Sequence, residues 1–386
     1  MIAASLKRIP LPSIDAQLLA VFLLLMGWGL VMVASSSVAL AEKLTDAPLY
    51  FFLRQLVFAA VGLGVAALAF AVPMRAWEQA GFMLVAFSLF LLVVVLLPGI
   101  GVEVNNARRW IDLGLFRLQA SEPARLGLVL YLAGYVVRRQ IELQYSFRGL
   151  FKALIPIGLA SGLLLLEPDF GATAILLAVS FVVLFLGGAR LIWLLALAAV
   201  ALGALALLAT TAAYRLKRLL SYQDPWAEIH DGGWQLAQSL IAIGRGEWTG
   251  VGLGNSVQKL LYLPEQHTDF IFAILAEELG LLGVLILVAL YCLLVWRGFV
   301  IGRAAERMNA RFRAYVAYGL STWIGGQALV NLAVNMGLVP TKGLTLPLMS
   351  YGGSSLITVC IMIALLLRVD HENRRESAGR PVGVPE

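Results

Sequence analysis

Apolar and polar positions come in blocks along this chain rather than alternating residue by residue. Predominantly apolar runs occupy positions 15 to 37, 52 to 73, 77 to 98, 122 to 138, 152 to 166, 170 to 188, 190 to 210, 269 to 297, 311 to 335 and 354 to 369. Crossing the hydrocarbon of a bilayer takes about 20 such residues in a helix. The pattern therefore predicts ten transmembrane helices, a few of them short. The apolar stretch from Ile14 to Val33, preceded by Lys7 and Arg8 and followed by Ala39-Leu40-Ala41, mimics a signal peptide. It is longer than a secretory apolar core and predicts an uncleaved first span. No internal repeat and no soluble domain stand out, so residues 1–386 are expected to form one all-α polytopic membrane domain.

Ten spans place both termini on one side of the membrane. Putting them in the cytoplasm places Lys7, Arg8, Arg75, Arg138, Arg139, Arg148, Lys152, Arg190, Arg297, Arg303, Arg307, Arg311, Arg313, Arg368, Arg374, Arg375 and Arg380 inside, which is the positive-inside pattern. Arg108, Arg109, Arg117, Arg215, Lys217, Arg218, Arg245, Lys259 and Lys342 then fall outside, against that bias. They cluster before span four, in the 211–268 connection, and around Pro340 to Ser355. The long connection carries Trp226, Trp234 and Trp248 around Gln235 to Ile243, which predicts a short interfacial helix. The charged tail 371–386 is expected to be disordered.

Composition agrees with the pattern: 60% of the 386 residues are hydrophobic and 13% charged, and the mean hydropathy is +0.87. A soluble globule carries about 25% charged residues. The net charge of +6 points to anionic lipid rather than nucleic acid, because the basic residues sit in short loops between apolar runs. Cys292 and Cys360 both lie inside apolar runs, which argues against a disulfide framework, a metal cluster or a thiol enzyme. His230, His267 and His371 show no metal-ligand spacing, and no Ser/His/Asp triad is evident. Gly250-Val251-Gly252-Leu253-Gly254 lacks the spacing of a nucleotide fingerprint and reads as a surface loop.

Asp269 carries the strongest chemical signal. A carboxylate at the mouth of an apolar helix is costly to desolvate, so it faces a wet cavity, pairs with a cation or does chemistry. Continued as a helix, Asp269, Ala273, Ala276, Glu277 and Gly280 would share one polar or small-residue stripe. Glu277 and Glu278 are read as structural or as lining a pathway. His267 is read as supporting or bordering the site. Glu122 and Arg125, three apart after Ser121 and Pro123, share a helix face. They read either as a structural ion pair or as orienting the active site. Glu167-Pro168-Asp169 reads as a tight turn.

Asn105-Asn106-Ala107-Arg108-Arg109-Trp110-Ile111, Gln119-Ala120-Ser121-Glu122, Asp224-Pro225-Trp226, Gly250 to Lys259, Leu263 to Gly280 and Pro347 to Ser355 together resemble the SEDS family, the FtsW, RodA and SpoVE group. The resemblance runs in order over nearly the whole chain. Lys217-Arg218 through Trp226, and Pro340 to Pro347, are more similar to the division branch than to the elongation branch. One departure is visible. Where the family usually reads Gln-Pro-Ser-Glu and then Lys, this chain has Ala120, Pro123 and Arg125, and Arg for Lys is not a neutral exchange.

The resemblance implies ten spans with a large structured periplasmic loop (211–268) before the eighth, and an inner-membrane protein at the division septum. It also implies a peptidoglycan glycosyltransferase that polymerises lipid II, with Asp269 as its key catalytic residue. The implied partners are lipid II, undecaprenyl diphosphate, the class B penicillin-binding protein FtsI, and the division proteins FtsQ, FtsL, FtsB and FtsN. In that chemistry Asp269 would be the general base, and Arg108, Arg109, Lys342 and Arg218 would hold the diphosphate. Trp110 would pack on sugar or lipid, or serve as an interfacial anchor. A divalent cation, Mg or Mn, is the one cofactor left open at the diphosphate, although the sequence displays no dedicated metal cage. Two alternatives belong to other classes: a lipid II flippase, which would use Glu277 and Glu278 as much as Asp269, and a non-catalytic scaffold for the transpeptidase.

Overall fold

The computed structural model describes residues 14–104, 107–114, 116–210, 222, 224–227, 233–340 and 343–379. Each apolar run falls on helix: α1 (Ala16–Thr45), α2 (Tyr50–Ala71), α3 (Met74–Gln79) with α4 (Gly81–Leu96), α5 (Ser121–Arg138), α7 (Phe147–Leu166), α8 (Phe170–Leu186), α9 (Leu191–Thr210), α11 (Ile271–Arg307), α12 (Arg311–Asn335) and α13 (Gly353–Ser377). Two further helices are α6 (Gln140–Tyr145) and α10 (Trp234–Gly246). Among the described residues, α1, α2, α7, α11 and α13 are long and apolar enough to cross a membrane. Cys292 and Cys360 are free thiols.

α13 is the most enclosed of the long helices and packs on α2 along its length. α11 packs most extensively on α12, and also on α10 and α1. Helix starts follow local chemistry. Asp15 caps α1 by accepting the Leu18 amide at 2.7 Å, and Asp169 caps α8 by accepting the Ala172 amide at 3.1 Å. Each satisfies an amide that the helix leaves unpaired.

The fold is not wholly helical. Residues 101–119 form a three-stranded antiparallel sheet, β1 (Gly101–Val104), β2 (Ala107–Asp112) and β3 (Arg117–Gln119), with Val102 opposite Trp110 and Trp110 opposite Gln119. Alternating inward and outward residues in Ala107 to Asp112 bury Ala107 and Ile111, and Ile111 packs against the end of α4. Expecting α-structure alone missed these strands because each is too short to show periodicity above the surrounding polar residues.

The tail also differs from expectation, since α13 continues through Ser377 and residues 371–373 are buried. Its charges are neutralised pairwise. Arg368 meets Glu372 at 2.9 Å and Arg374 meets Asp370 at 2.7 Å, each one helical turn apart. Arg313 holds Glu376, and Glu372 accepts the Met74 amide at the start of α3. A charged segment whose charges find partners on neighbouring elements has no reason to stay unfolded. Residues 380–386 lie outside the described residues.

α11 is broken at Gly280, whose φ of 62° and ψ of −164° are not helical. The 246–252 loop repairs the break: the Val251 and Gly252 amides donate to the Glu277 and Glu278 carbonyls at 3.0 Å, while the Leu281 and Leu282 amides donate to the Glu247 and Trp248 carbonyls at 2.9 and 3.1 Å. A Cβ on Gly280 would lie 2.4 Å from the Gly250 nitrogen. Only glycine fits both the dihedral and the contact. The described part of the 211–268 connection is thus docked: α10 buries Leu236, Ala237, Gln238, Ser239 and Ala242, packing chiefly against α11.

Candidate active site

Asp269 does not lie on a continuous helix with Glu277. α11 begins at Ile271, and the break at Gly280 ends the expected stripe. Asp269 sits in the turn ahead of the helix, held by its backbone on two sides. From α12, Asn331 Nδ2 and Asn335 Nδ2 donate to the Asp269 carbonyl at 2.9 and 3.0 Å. From the 343–352 loop, Ser350 Oγ donates to the Thr268 carbonyl at 2.6 Å and the Tyr351 amide to the His267 carbonyl at 2.8 Å.

This clamp engages the backbone and not the side chain. The Asp269 carboxylate accepts no hydrogen bond from the described residues. Its Oδ2 lies so close to Gly343 that a Cβ there would be 3.3 Å away. The residue is half-buried. Burial pushes its pKa up to about 7, Glu265 pushes the same way, Arg109 opposes, and Asp169 adds a further upward push.

Arg109 reaches the same neighbourhood from β2. Alternation turns it inward while Arg108 faces out and pairs with Glu103 at 3.2 Å. Arg109 donates through Nε to the Glu167 carbonyl at 3.1 Å and through Nη2 to the Pro168 carbonyl at 2.6 Å. That uses two of the guanidinium's five N–H donors. Glu167 itself is buried, with no hydrogen bond to either carboxyl oxygen from the described residues. Burial, then the charge of Asp169, raises its pKa to about 9 against the pull of Arg109. The 167–169 turn, read from the sequence as structural punctuation, therefore contributes a neutral carboxyl, two carbonyls for Arg109 and the cap of α8.

The Glu122–Arg125 pair forms at 2.6 Å with both side chains buried. Arg125 also stacks over the Trp323 ring at 4.7 Å, Trp323 Nε1 donates to Gln327 Oε1 at 2.8 Å, and Gln327 Nε2 donates to the Thr345 carbonyl at 2.9 Å. The pair thus abuts the row of amides, Gln327, Asn331 and Asn335, that holds Asp269 and its flanking loop. These amides were missed in the sequence. Their signal was present, since three carboxamides four residues apart inside an apolar run are costly unless they face partners.

The remaining candidates separate. His267 lies between Phe51 and Tyr351, with ring centroids 4.7 and 5.4 Å away, and burial lowers its pKa. Glu277 accepts from Ser256 Oγ, from the Val257 and Gln258 amides at 3.0 and 3.3 Å, and from Arg245 at 3.3 Å. Glu278 accepts from Lys259 at 2.9 Å and from Ser35. Trp110 is part of the β2 ladder. Arg218 and Lys342 lie outside the described residues. Among the described residues no group of three or more His, Cys, Asp or Glu side chains is placed to hold a metal ion.

Comparison with known proteins gives the geometry a context. A model of the FtsW/RodA/SpoVE family, described as cell cycle proteins, matches residues 15–375. The chain is 53% identical over 372 residues to a probable peptidoglycan glycosyltransferase FtsW of Nitrosococcus halophilus, covering 96% of this chain and 95% of that one. It is 50% identical over 370 residues to the protein of the same description from Thioalkalivibrio sulfidiphilus, covering 96% and 92%. Among solved structures, a chain from a peptidoglycan synthase complex coordinating polymerization and crosslinking superposes with a TM-score of 0.75 at 32% identity, covering 94% of this chain and 98% of that one. The rod shape determining protein RodA of Thermus thermophilus superposes with a TM-score of 0.68 at 32% identity, covering 94% and 97%. A family match over nearly the whole chain, relatives at half identity and the same fold leave one conclusion: this chain belongs to the FtsW/RodA/SpoVE family.

Proposed function

We propose that the chain is a peptidoglycan glycosyltransferase of cell division that polymerises lipid II, with Asp269 as general base. The observation that carries the assignment of the base is the Asp269 carboxylate: fixed through its backbone, accepting no hydrogen bond from the described residues and raised in pKa to about 7. A base poised near the working pH combines a substantial ionised fraction with enough basicity to take a proton, which is worth about 100-fold or more in rate.

In the proposed reaction Asp269 takes the proton of the acceptor 4-hydroxyl. The resulting oxygen attacks the anomeric carbon of the donor sugar with inversion, and the bond to undecaprenyl diphosphate breaks. Arg109, with donors to spare beside Asp269, stabilises the charge that grows on the diphosphate. Arg108, Arg218 and Lys342 extend that anion site, Trp110 packs against sugar or lipid, and the Glu122–Arg125 pair fixes the elements around it. The proposed arrangement has ten spans, both termini in the cytoplasm, the 211–268 loop outside, and a class B penicillin-binding protein as working partner at the septum. Glu277 and Glu278, which a headgroup path across the membrane would need, are occupied in tying the loop to α11, and this supports the polymerase over the flippase.

The test is reconstitution with the transpeptidase partner and lipid II, comparing wild type with Asp269→Asn and Asp269→Ala, with and without a chelator. Polymer lengths and rates equal to wild type in both variants would remove Asp269 from the chemistry. Loss of activity on chelation, restored by Mg or Mn, would assign a cation to the diphosphate.

A further inference from the structure

Arginines crowd the end of the bundle opposite Asp269, where α1 begins and α11 and α13 finish, and most are spoken for. Arg297 pairs with Asp15, Arg313 with Glu376, Arg368 with Glu372 and Arg374 with Asp370. Arg303 and Arg307 differ. Both are exposed, and neither has a carboxylate within ion-pair distance among the described residues. Glu306, the acid between them, already accepts the Tyr318 hydroxyl at 2.7 Å. Four residues apart, the two guanidinium groups rise from the same face of α11.

Below them on α11 opens a cavity of about 670 Å³, lined by Arg303, Arg307, Glu306 and Tyr318 at the polar end and by Trp296, Phe299, Val300 and Leu186 of α8 along the apolar wall. Trp296 is 55% exposed, a ring of the kind that sits at the level of lipid headgroups. The groove is therefore amphipathic in one direction: a hydrocarbon-facing wall ending in two arginines and one glutamate, a net positive end at the helix terminus. A soluble anion would find no use for the wall, and an apolar partner helix would bury two cations against the single carboxylate of Glu306, leaving a net positive charge.

We propose that this groove binds an anionic phospholipid of the leaflet on the terminal side of the bundle. Its phosphate is held by Arg303 and Arg307, and one acyl chain lies along Leu186, Phe299, Val300 and Trp296. Arginine suits this role because its planar N–H pairs match phosphate oxygens in a bidentate way. The site is separate from the Asp269 neighbourhood, at the other terminus of α11.

The experiment titrates the purified full-length protein with phosphatidylglycerol and, separately, phosphatidylcholine, counting bound lipid by native mass spectrometry for wild type, the R303Q/R307Q double variant and R148Q as an exposed-arginine control. Each cation near an anionic headgroup contributes about fivefold, so the double variant should bind phosphatidylglycerol about twenty-five-fold more weakly. R148Q should match wild type. A second readout uses phosphatidylglycerol brominated on its acyl chains, which should quench a component of the tryptophan emission that W296F lacks. Equal phosphatidylglycerol binding by wild type and the double variant overturns the proposal, as does equal quenching of that component by brominated phosphatidylcholine. Complete displacement of the lipid by millimolar inorganic phosphate overturns it in favour of a free-anion site.

Discussion

Asp269 and Glu277 are carboxylates of the same segment, and their surroundings could hardly differ more. Glu277 is fully buried and accepts from a serine, two backbone amides and an arginine. Asp269 is only half-buried, yet its oxygens accept nothing from the described residues, while the hydrogen bonds nearby go to its own carbonyl. A buried carboxylate surrounded by donors is a structural knot. One clamped by its backbone and left empty at its oxygens is available for a proton that arrives with a substrate. Sequence distance from an apolar helix mouth does not make this distinction; hydrogen-bond occupancy does.

Removing each acid in turn separates the two most clearly. Asp269→Asn keeps the shape and removes the base, so lipid II polymerisation should fall by about 100-fold or more, while thermal unfolding in detergent stays at the wild-type temperature or rises slightly as a desolvated charge disappears. Glu277→Ala should do the reverse. Leaving the Ser256 hydroxyl and the Val257 and Gln258 amides unpaired costs about 1–3 kcal/mol per buried donor group, so the melting temperature should fall while the rate per folded molecule changes by less than about threefold. A Glu277→Ala protein that melts normally but does not polymerise would put Glu277 in the chemistry and end the contrast.

Much of this was legible in the sequence, for reasons that can be located. The helices announce themselves because a bilayer demands long apolar runs, and Asp269 stands out because a charge at such a run is costly. The Glu122–Arg125 pair followed from helical spacing alone. What escaped depends on contacts distant in the chain. Gly250 to Gly254 read as a surface loop, whereas Gly246 and Gly250 let that loop approach and cap the broken backbone at Gly280, a helix segment about 30 residues further on. The 101–119 strands become strands only by pairing with one another against α4, and that pairing decides that Arg109 rather than Arg108 turns toward Asp269. The tail looked disordered because its charges were counted without the partners Asp15 and Arg313 on other helices.

The clamp offers a finer cut between the two acids. Asn331→Ala removes the amide that bridges the Asp269 and Leu344 carbonyls at 2.9 and 2.6 Å and leaves Asn335 in place. A base displaced by a fraction of an ångström loses rate rather than affinity, so kcat should fall about tenfold with KM nearly unchanged. Asn331→Asp should not rescue, because a carboxylate cannot donate to either carbonyl. If kcat and KM change together, the amide shapes the substrate groove rather than the base.

The smallest effect isolates electrostatics from position. With its pKa near 7, the Asp269 carboxylate is about one-tenth ionised at pH 6, about half at pH 7 and about nine-tenths at pH 8. The ionised form is the base, so kcat/KM should rise through this window and level off above it. Glu265 is exposed, and its negative charge is the second cause of the upward shift after burial. Glu265→Gln removes that charge, favours the ionised form of Asp269 and should move the rising limb to lower pH, so that the variant is faster than wild type by less than about threefold at pH 6 and indistinguishable from it at pH 8. A pH–rate profile of the two proteins decides the matter. A limb that stays where it was would mean that some group other than Asp269 titrates in the rate, and the difference between the occupied and the empty carboxylate would then say nothing about catalysis.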